Sequence, residues 1–137
     1  MNSQSLAKAM LRNDEGLRLK PYYCTADKLT IGYGRNLEDR GISENEAEVL
    51  LENDVSEIHE DLTEIYDFFN TLTPTRQAVL ISMAFNLGLN GLNKFRKMIK
   101  AIEDNDYAEA ASQMLDSRWA NQVGKRAQRL SKLMVTG

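Results

Sequence analysis

Residues 14–34, DEGLRLKPYYCTADKLTIGYG, change periodicity partway along, and that change decides the fold class. Ahead of it the chain reads as a short helix, with Ser3 or Ser5 as N-cap and Leu6, Ala9, Met10 and Asn13 along one side. Gly16 stands where a helix commonly ends on glycine. Beyond it Leu17 and Leu19 alternate with Arg18 and Lys20, while Leu29, Ile31 and Tyr33 alternate with Lys28, Thr30 and Gly32. Two strands joined by a turn at Thr25-Ala26-Asp27-Lys28 are predicted, a hairpin. The alternation puts Thr30 on the more polar face, opposite Leu29 and Ile31. Gly32 and Gly34 weaken the second strand and suggest close approach of a ligand or another backbone. Asp14 and Glu15 fall at the C-terminal end of the first helix, where the macrodipole disfavours acids by about 0.3–1 kcal/mol each. Something else must hold them there.

The remainder of the chain is helical in pattern. Ser43-Glu44-Asn45-Glu46 is a capping box. Ala47, Leu51, Val55, Ile58, Leu62, Ile65 and Phe69 then recur at spacings of three and four. One helix over 43–69 is predicted, about 35 Å long, its single apolar stripe suited to bridging two lobes. Thr73-Pro74 opens another helix, with Thr as cap and Pro at the first position. Its segment AVLISMAFNL (78–87) is apolar all round, which predicts the buried centre of a bundle ending at Gly88 and Gly91. Three shorter helices follow, near Asn93–Glu103, Asp106–Leu115 and Gly124–Met134. The expectation is a single mainly helical α+β domain over 1–137. It would comprise a β-hairpin lobe at about 15–42, the bridging helix at 43–69, and a helical lobe of 70–137 completed by 1–14.

With 137 residues, 42% hydrophobic and only two prolines, the chain can bury a core and does not read as disordered. One cysteine and one histidine exclude a disulfide framework and leave no multi-Cys or His-rich metal site. Neither a membrane-length apolar run nor a signal-peptide core is present, so neither a membrane anchor nor a secretory signal is expected. The net charge of −3 conceals segregation: residues 43–67 carry 10 acids and no Lys or Arg, whereas 94–132 carry 9 bases against 5 acids. That distribution bears on partners more than the total does.

Phosphate-loop motifs are absent, and the acidic run lacks EF-hand spacing. His59 stands alone and offers at most one base. Phe85 is expected to pack, Trp119 to sit in the core, and Asn86 to offer amide hydrogen bonds. Glu15 remains, an acid immediately before a glycine and a hairpin carrying Thr30. A carboxylic acid facing a hydroxyl suits glycosidic hydrolysis: the acid protonates the leaving oxygen and the hydroxyl positions the attacking water. Pairing of Glu15 with a nearby arginine is the structural alternative.

The sequence around these residues resembles the phage-type lysozymes, glycoside hydrolase family twenty-four. Their pattern of a Glu, eight residues, an Asp or Cys, five residues and a Thr is met by Glu15, Cys24 and Thr30. Residues 77–88 resemble the family's central helix, and 117–122 and 125–129 its C-terminal signature, so the resemblance spans essentially the whole chain. It implies a muramidase cleaving the β-1,4 bond between N-acetylmuramic acid and N-acetylglucosamine in peptidoglycan. Glu15 would be the general acid, Thr30 a holder of the attacking water, Arg126 the basic partner of Glu15 and Arg129 that of Asp14. Gly32 and Asn86 would contact substrate.

Cys24 stands where most members carry Asp. An ordinary thiol, pKa about 8.5, is largely neutral at pH 7, so Cys24 either only packs or acts as a thiolate nucleophile. Arg35 occupies a position where many relatives have His, and only eight positions separate it from Ser43, which makes the β lobe minimal. No metal or cofactor and no nucleic-acid partner is implied, and a monomer is expected. Such enzymes act on the wall after synthesis in the host cytoplasm and release with holin-type help. A lytic transglycosylase, a catalytically weak wall-binding relative and, more remotely, a helical DNA-binding protein are the competing readings.

Overall fold

The computed structural model describes residues 2–137. Helix α1, Ser3–Glu15, is capped by Asn2 rather than by either serine: the Asn2 side chain accepts from the Ser5 amide at 2.9 Å. Asparagine is as good an N-cap as serine, and it sits one residue earlier. Gly16 ends the helix as expected, with φ 69° and its amide returned to the Arg12 carbonyl.

Strands β1 (Arg18–Tyr23), β2 (Leu29–Gly32) and β3 (Arg35–Asn36) form an antiparallel sheet in the order β1-β2-β3. The expected hairpin is therefore extended by a third, two-residue strand, too short to leave a periodic signature. Arg18 pairs with Gly32 and Tyr22 with Thr30, so β1 is bulged between them. Pro21 occupies the bulge, where its missing N–H leaves no gap in the ladder. The turn is closed by Asp27 N–H to Cys24 O (2.8 Å) and Cys24 N–H to Lys28 O (3.0 Å), with Asp27 at φ 60°. Aspartate tolerates that left-handed conformation better than most residues.

The two faces of β2 are not as the alternation suggested. Thr30 is 3% exposed, whereas Leu29 and Ile31 are only half-buried. A buried hydroxyl needs a partner, and Thr30 has one, donating to the Lys28 carbonyl at 2.8 Å. A short helix α2 (Leu37–Arg40), which the sequence did not reveal, packs against β2 and β3. Its Glu38 and Asp39 hold the Lys28 ammonium at 3.3 Å each.

Helix α3, Glu44–Ile65, begins on the capping box: Ser43 N–H donates to Glu46 Oε1 at 2.8 Å, and Glu46 N–H to Ser43 Oγ at 3.1 Å. It is shorter than the expected 43–69, because the chain turns at Tyr66–Phe68 into a 3-10 turn, Phe69–Thr71. There Tyr66 stacks on Phe68 and is bonded through its hydroxyl to Asn93. Those tertiary contacts override helical continuation. The apolar stripe is buried only towards its end, at Leu62 and Phe69, while Leu51 and Val55 are exposed.

Contacts divide the chain into Met1–Val49 and Leu50–Gly137, a boundary that falls inside α3. In the second unit α4 (Pro74–Asn93) starts on the Thr73 cap with Pro74 at its first position, as its sequence required. Gly88, at φ 78°, breaks it, but helix resumes to Asn93. Helices α5 (Arg96–Glu103), α6 (Tyr107–Leu115) and α8 (Lys125–Thr136) follow the expected positions, and α7 (Arg118–Val123) is an additional one. The core is built on Val79, Leu80 and Met83 of α4 with Met98, Ile102, Met114 and Met134. Phe85, expected to pack, is instead 49% exposed. Arg76, the sole charge between 68 and 93, donates to the carbonyls of Met134 (2.8 Å) and Val135 (2.9 Å), which α8 cannot satisfy itself. Among the described residues no helix is long and apolar enough to cross a membrane.

Arg35 of β3 reaches the start of α3, with Nη1 2.9 Å from Glu46 Oε1 and Nη2 2.7 Å from Oε2. These bonds, then the Ser43 amide, pull the Glu46 carboxyl from 4.5 down to about 2. A carboxylate whose value falls on folding stabilises the folded state above its ordinary value, and that contribution disappears as pH drops through the folded one. The melting temperature should therefore fall between pH 4.5 and about 2 more steeply in the wild type than in Glu46→Gln. Parallel curves in thermal denaturation would contradict the pairing.

Candidate active site

Glu15 is the last residue of α1, and Gly16 turns the chain immediately behind it. The side chain is exposed and lies over Gly34, where a Cβ would stand 3.0 Å from Glu15 Oε2 and 3.2 Å from Cδ. Gly34 is at φ 75°. Glycine suits the backbone conformation here, and any side chain in its place would crowd the carboxylate and make it shift. The sequence flagged Gly34 for a close approach, but by a ligand or backbone; the approaching group is the acid itself. Gly32 differs: it has φ 70° and open space where a Cβ would be. Its glycine answers to the backbone conformation, with the space beside it open.

The second cluster surrounds Cys24, which is half-buried. The thiol is pulled below its ordinary value first by the Lys28 backbone amide, then by the Ala26 amide and the Thr30 hydroxyl, with burial opposing. Hydrogen bonds to the charged form favour it, so these donors ease ionisation. The single Thr30 proton serves the Lys28 carbonyl and can turn to the thiolate. Sequence patterning could not identify Lys28 as the centre of this cluster, because its carbonyl and amide act rather than its side chain.

The other expected residues lie in the second unit. Asn86 is exposed at the end of the buried part of α4, and its Oδ1 accepts from the Trp119 indole at 2.7 Å. Trp119 is 3% exposed and edge-on to Phe95, in the core as expected. An indole can only donate, so it fixes the Asn86 amide with Oδ1 inward and leaves the NH₂ group available. Arg126 donates through Nη2 to Ser82 Oγ at 3.1 Å and more weakly to Ser82 O at 3.4 Å. Ser82 was not singled out from the sequence. Asp14 in the first unit and Arg129 in the second are both exposed. Among the described residues no three His, Cys, Asp or Glu side chains converge as metal ligands.

The structure therefore joins Glu15 to Gly34, Cys24 to Thr30, Asn86 to Trp119 and Arg126 to Ser82. The first unit thus presents a solvent-facing carboxylate over Gly34 and, at the turn between β1 and β2, a thiol surrounded by hydrogen-bond donors.

The sequence model of the phage lysozyme family matches residues 12–133, and the chain belongs to that family. It is 30% identical to "Probable T4-type lysozyme 2" of Dictyostelium discoideum over 162 aligned positions, covering 97% of this chain and 95% of that one. It is also 30% identical to the pre-baseplate central spike protein Gp5 of Enterobacteria phage T4 over 156 positions, covering 93% of this chain and 27% of that protein. An endolysin of Acyrthosiphon pisum secondary endosymbiont phage 1 is 29% identical over 126 positions, covering 85% of this chain and 80% of the endolysin. Membership of the family makes the protein a peptidoglycan-lytic enzyme. The first two alignments run longer than 137 residues, so those relatives carry segments that this chain lacks.

Gly34→Ala should cost about 1–2 kcal/mol from left-handed strain and should also lower wall lysis by about 10-fold or more per folded molecule by displacing Glu15. Gly88→Ala, at φ 78° with nothing within 4 Å, is the control for strain alone. Melting curves and lysis rates check both, and equal specific activity in the two variants would exclude Gly34 as the seat.

Proposed function

We propose that the protein is a muramidase, hydrolysing the β-1,4 bond between N-acetylmuramic acid and N-acetylglucosamine with Glu15 as general acid. The Glu15 carboxyl gives its proton to the glycosidic oxygen as the C1–O bond breaks. A water oxygen bonds to C1, and the water's surplus proton leaves to solvent. With its proton on Lys28 O, Thr30 can accept a hydrogen bond from that water, which leaves a lone pair on the water oxygen free to attack. Gly32 and the Asn86 amide contact substrate. Cys24 supports the site without forming a bond to the sugar.

The observation that carries this reading is the seating of an exposed carboxylate against Gly34, within a family whose members cleave the wall polymer. One observation favours the lytic transglycosylase alternative: Thr30 is almost closed to solvent, and that reaction needs no positioned water.

Turbidity clearance of purified peptidoglycan is the test. Glu15→Gln should lose about 10²–10⁴-fold in rate with its melting temperature retained, while Cys24→Ser keeps most activity. Equal clearance by all three proteins would sink the assignment.

A further inference from the structure

We propose that Arg35 is a positioning residue for catalysis, holding through Gly34 the surface on which Glu15 rests. This rests on the reading of Glu15 as the acid. Strand β3 is two residues long, tied to β2 by Ile31 opposite Arg35 and Thr30 opposite Asn36. So short a ladder does little to fix the residue before it, and that residue is glycine, the least restricted of all. Gly34 nevertheless has to keep one conformation, because the Glu15 carboxylate lies over it in the space that a Cβ would take, 3.0 Å from Oε2.

The missing rigidity comes from the Arg35 side chain. Its guanidinium makes three bonds: Nη1 to Gly41 O at 3.1 Å, Nη1 to Glu46 Oε1 at 2.9 Å and Nη2 to Glu46 Oε2 at 2.7 Å. Glu46 is in turn pinned at the first turn of α3, where its Oε1 also accepts the Ser43 amide at 2.8 Å. A continuous path thus runs from the start of α3 through Glu46 and Arg35 to Gly34 and Glu15. The bond to Gly41 O also closes the loop carrying α2, so one guanidinium fixes both ends of the link from β3 to α3. Lysine cannot replace it. An ammonium is a point charge without the planar fork that meets both carboxylate oxygens and a carbonyl together.

Misplacement of a catalytic group by about 1 Å can cost about 10²-fold in rate. Arg35→Lys, assayed on a soluble peptidoglycan oligosaccharide well below its melting temperature, should lose about 10–100-fold in kcat with KM within about 2-fold. Glu46→Gln, which attacks the same path from the other end, should lower kcat in the same sense. Because both act through one seat, the losses of Arg35→Lys and Gly34→Ala should be less than multiplicative in the double variant. A merely stabilising pair would lower the melting temperature and leave kcat per folded molecule unchanged, which overturns the proposal. Should Arg35→Lys fail to fold, Glu46→Gln decides alone on the same two constants. Glu15→Gln in the same assay separates the two levels: if it is as active as wild type, the reading of Glu15 falls; if it is inactive while Arg35→Lys and Glu46→Gln keep full kcat, only the positioning role falls.

Discussion

The placement of the Glu15 carboxylate over Gly34, in the space a Cβ would take, is the constraint around which the first unit is arranged. A carboxylate at a helix C-terminus is electrostatically out of place. Removing it would relieve that penalty, and any side chain at 34 would crowd it. Both the helix end and the left-handed glycine are accommodated around this one placement. Gly16 turns the chain behind the acid, and Arg35 anchors the strand in front.

Features that depend on neighbours in sequence were legible without a structure. The capping box at Ser43–Glu46, the Thr73-Pro74 helix start, the Asp106 cap and the apolar centre of α4 all involve residues within four positions of each other. The family pattern of Glu15, Cys24 and Thr30 was legible for the same reason, as a fixed spacing. What the sequence hid was tertiary. Strand β3 and helices α2 and α7 are too short to show a period. The end of α3 is set by Tyr66 reaching Asn93, 27 positions away. The face occupied by Thr30 follows from hydrogen-bond satisfaction at Lys28, not from alternation in a four-residue strand. Phe85 illustrates the same limit, since an all-apolar helix does not reveal which of its residues remains uncovered.

The charge distribution also acquires a more specific meaning. The acids concentrated on α3 include one, Glu46, that is not a solvated helix decoration but half of a bidentate pair. The arginine at 35, an apparent departure from the family, is the other half. The short segment between Arg35 and Ser43 is held through side-chain chemistry, by the bonds from Arg35 to Gly41 O and Glu46. In the second unit Arg76 plays a comparable part, closing the end of α8 against the start of α4.

As general acid, Glu15 is proposed to drive addition of water across a glycosidic bond. Digestion of purified peptidoglycan in ¹⁸O-labelled water, with mass spectrometry of the released fragments, tests it directly. The wild type should place one labelled oxygen at C1 of the new N-acetylmuramic acid end, and folded Glu15→Gln should release no such fragment. Unlabelled 1,6-anhydro ends from the wild type, or labelled ends from Glu15→Gln at the wild-type rate, would contradict it.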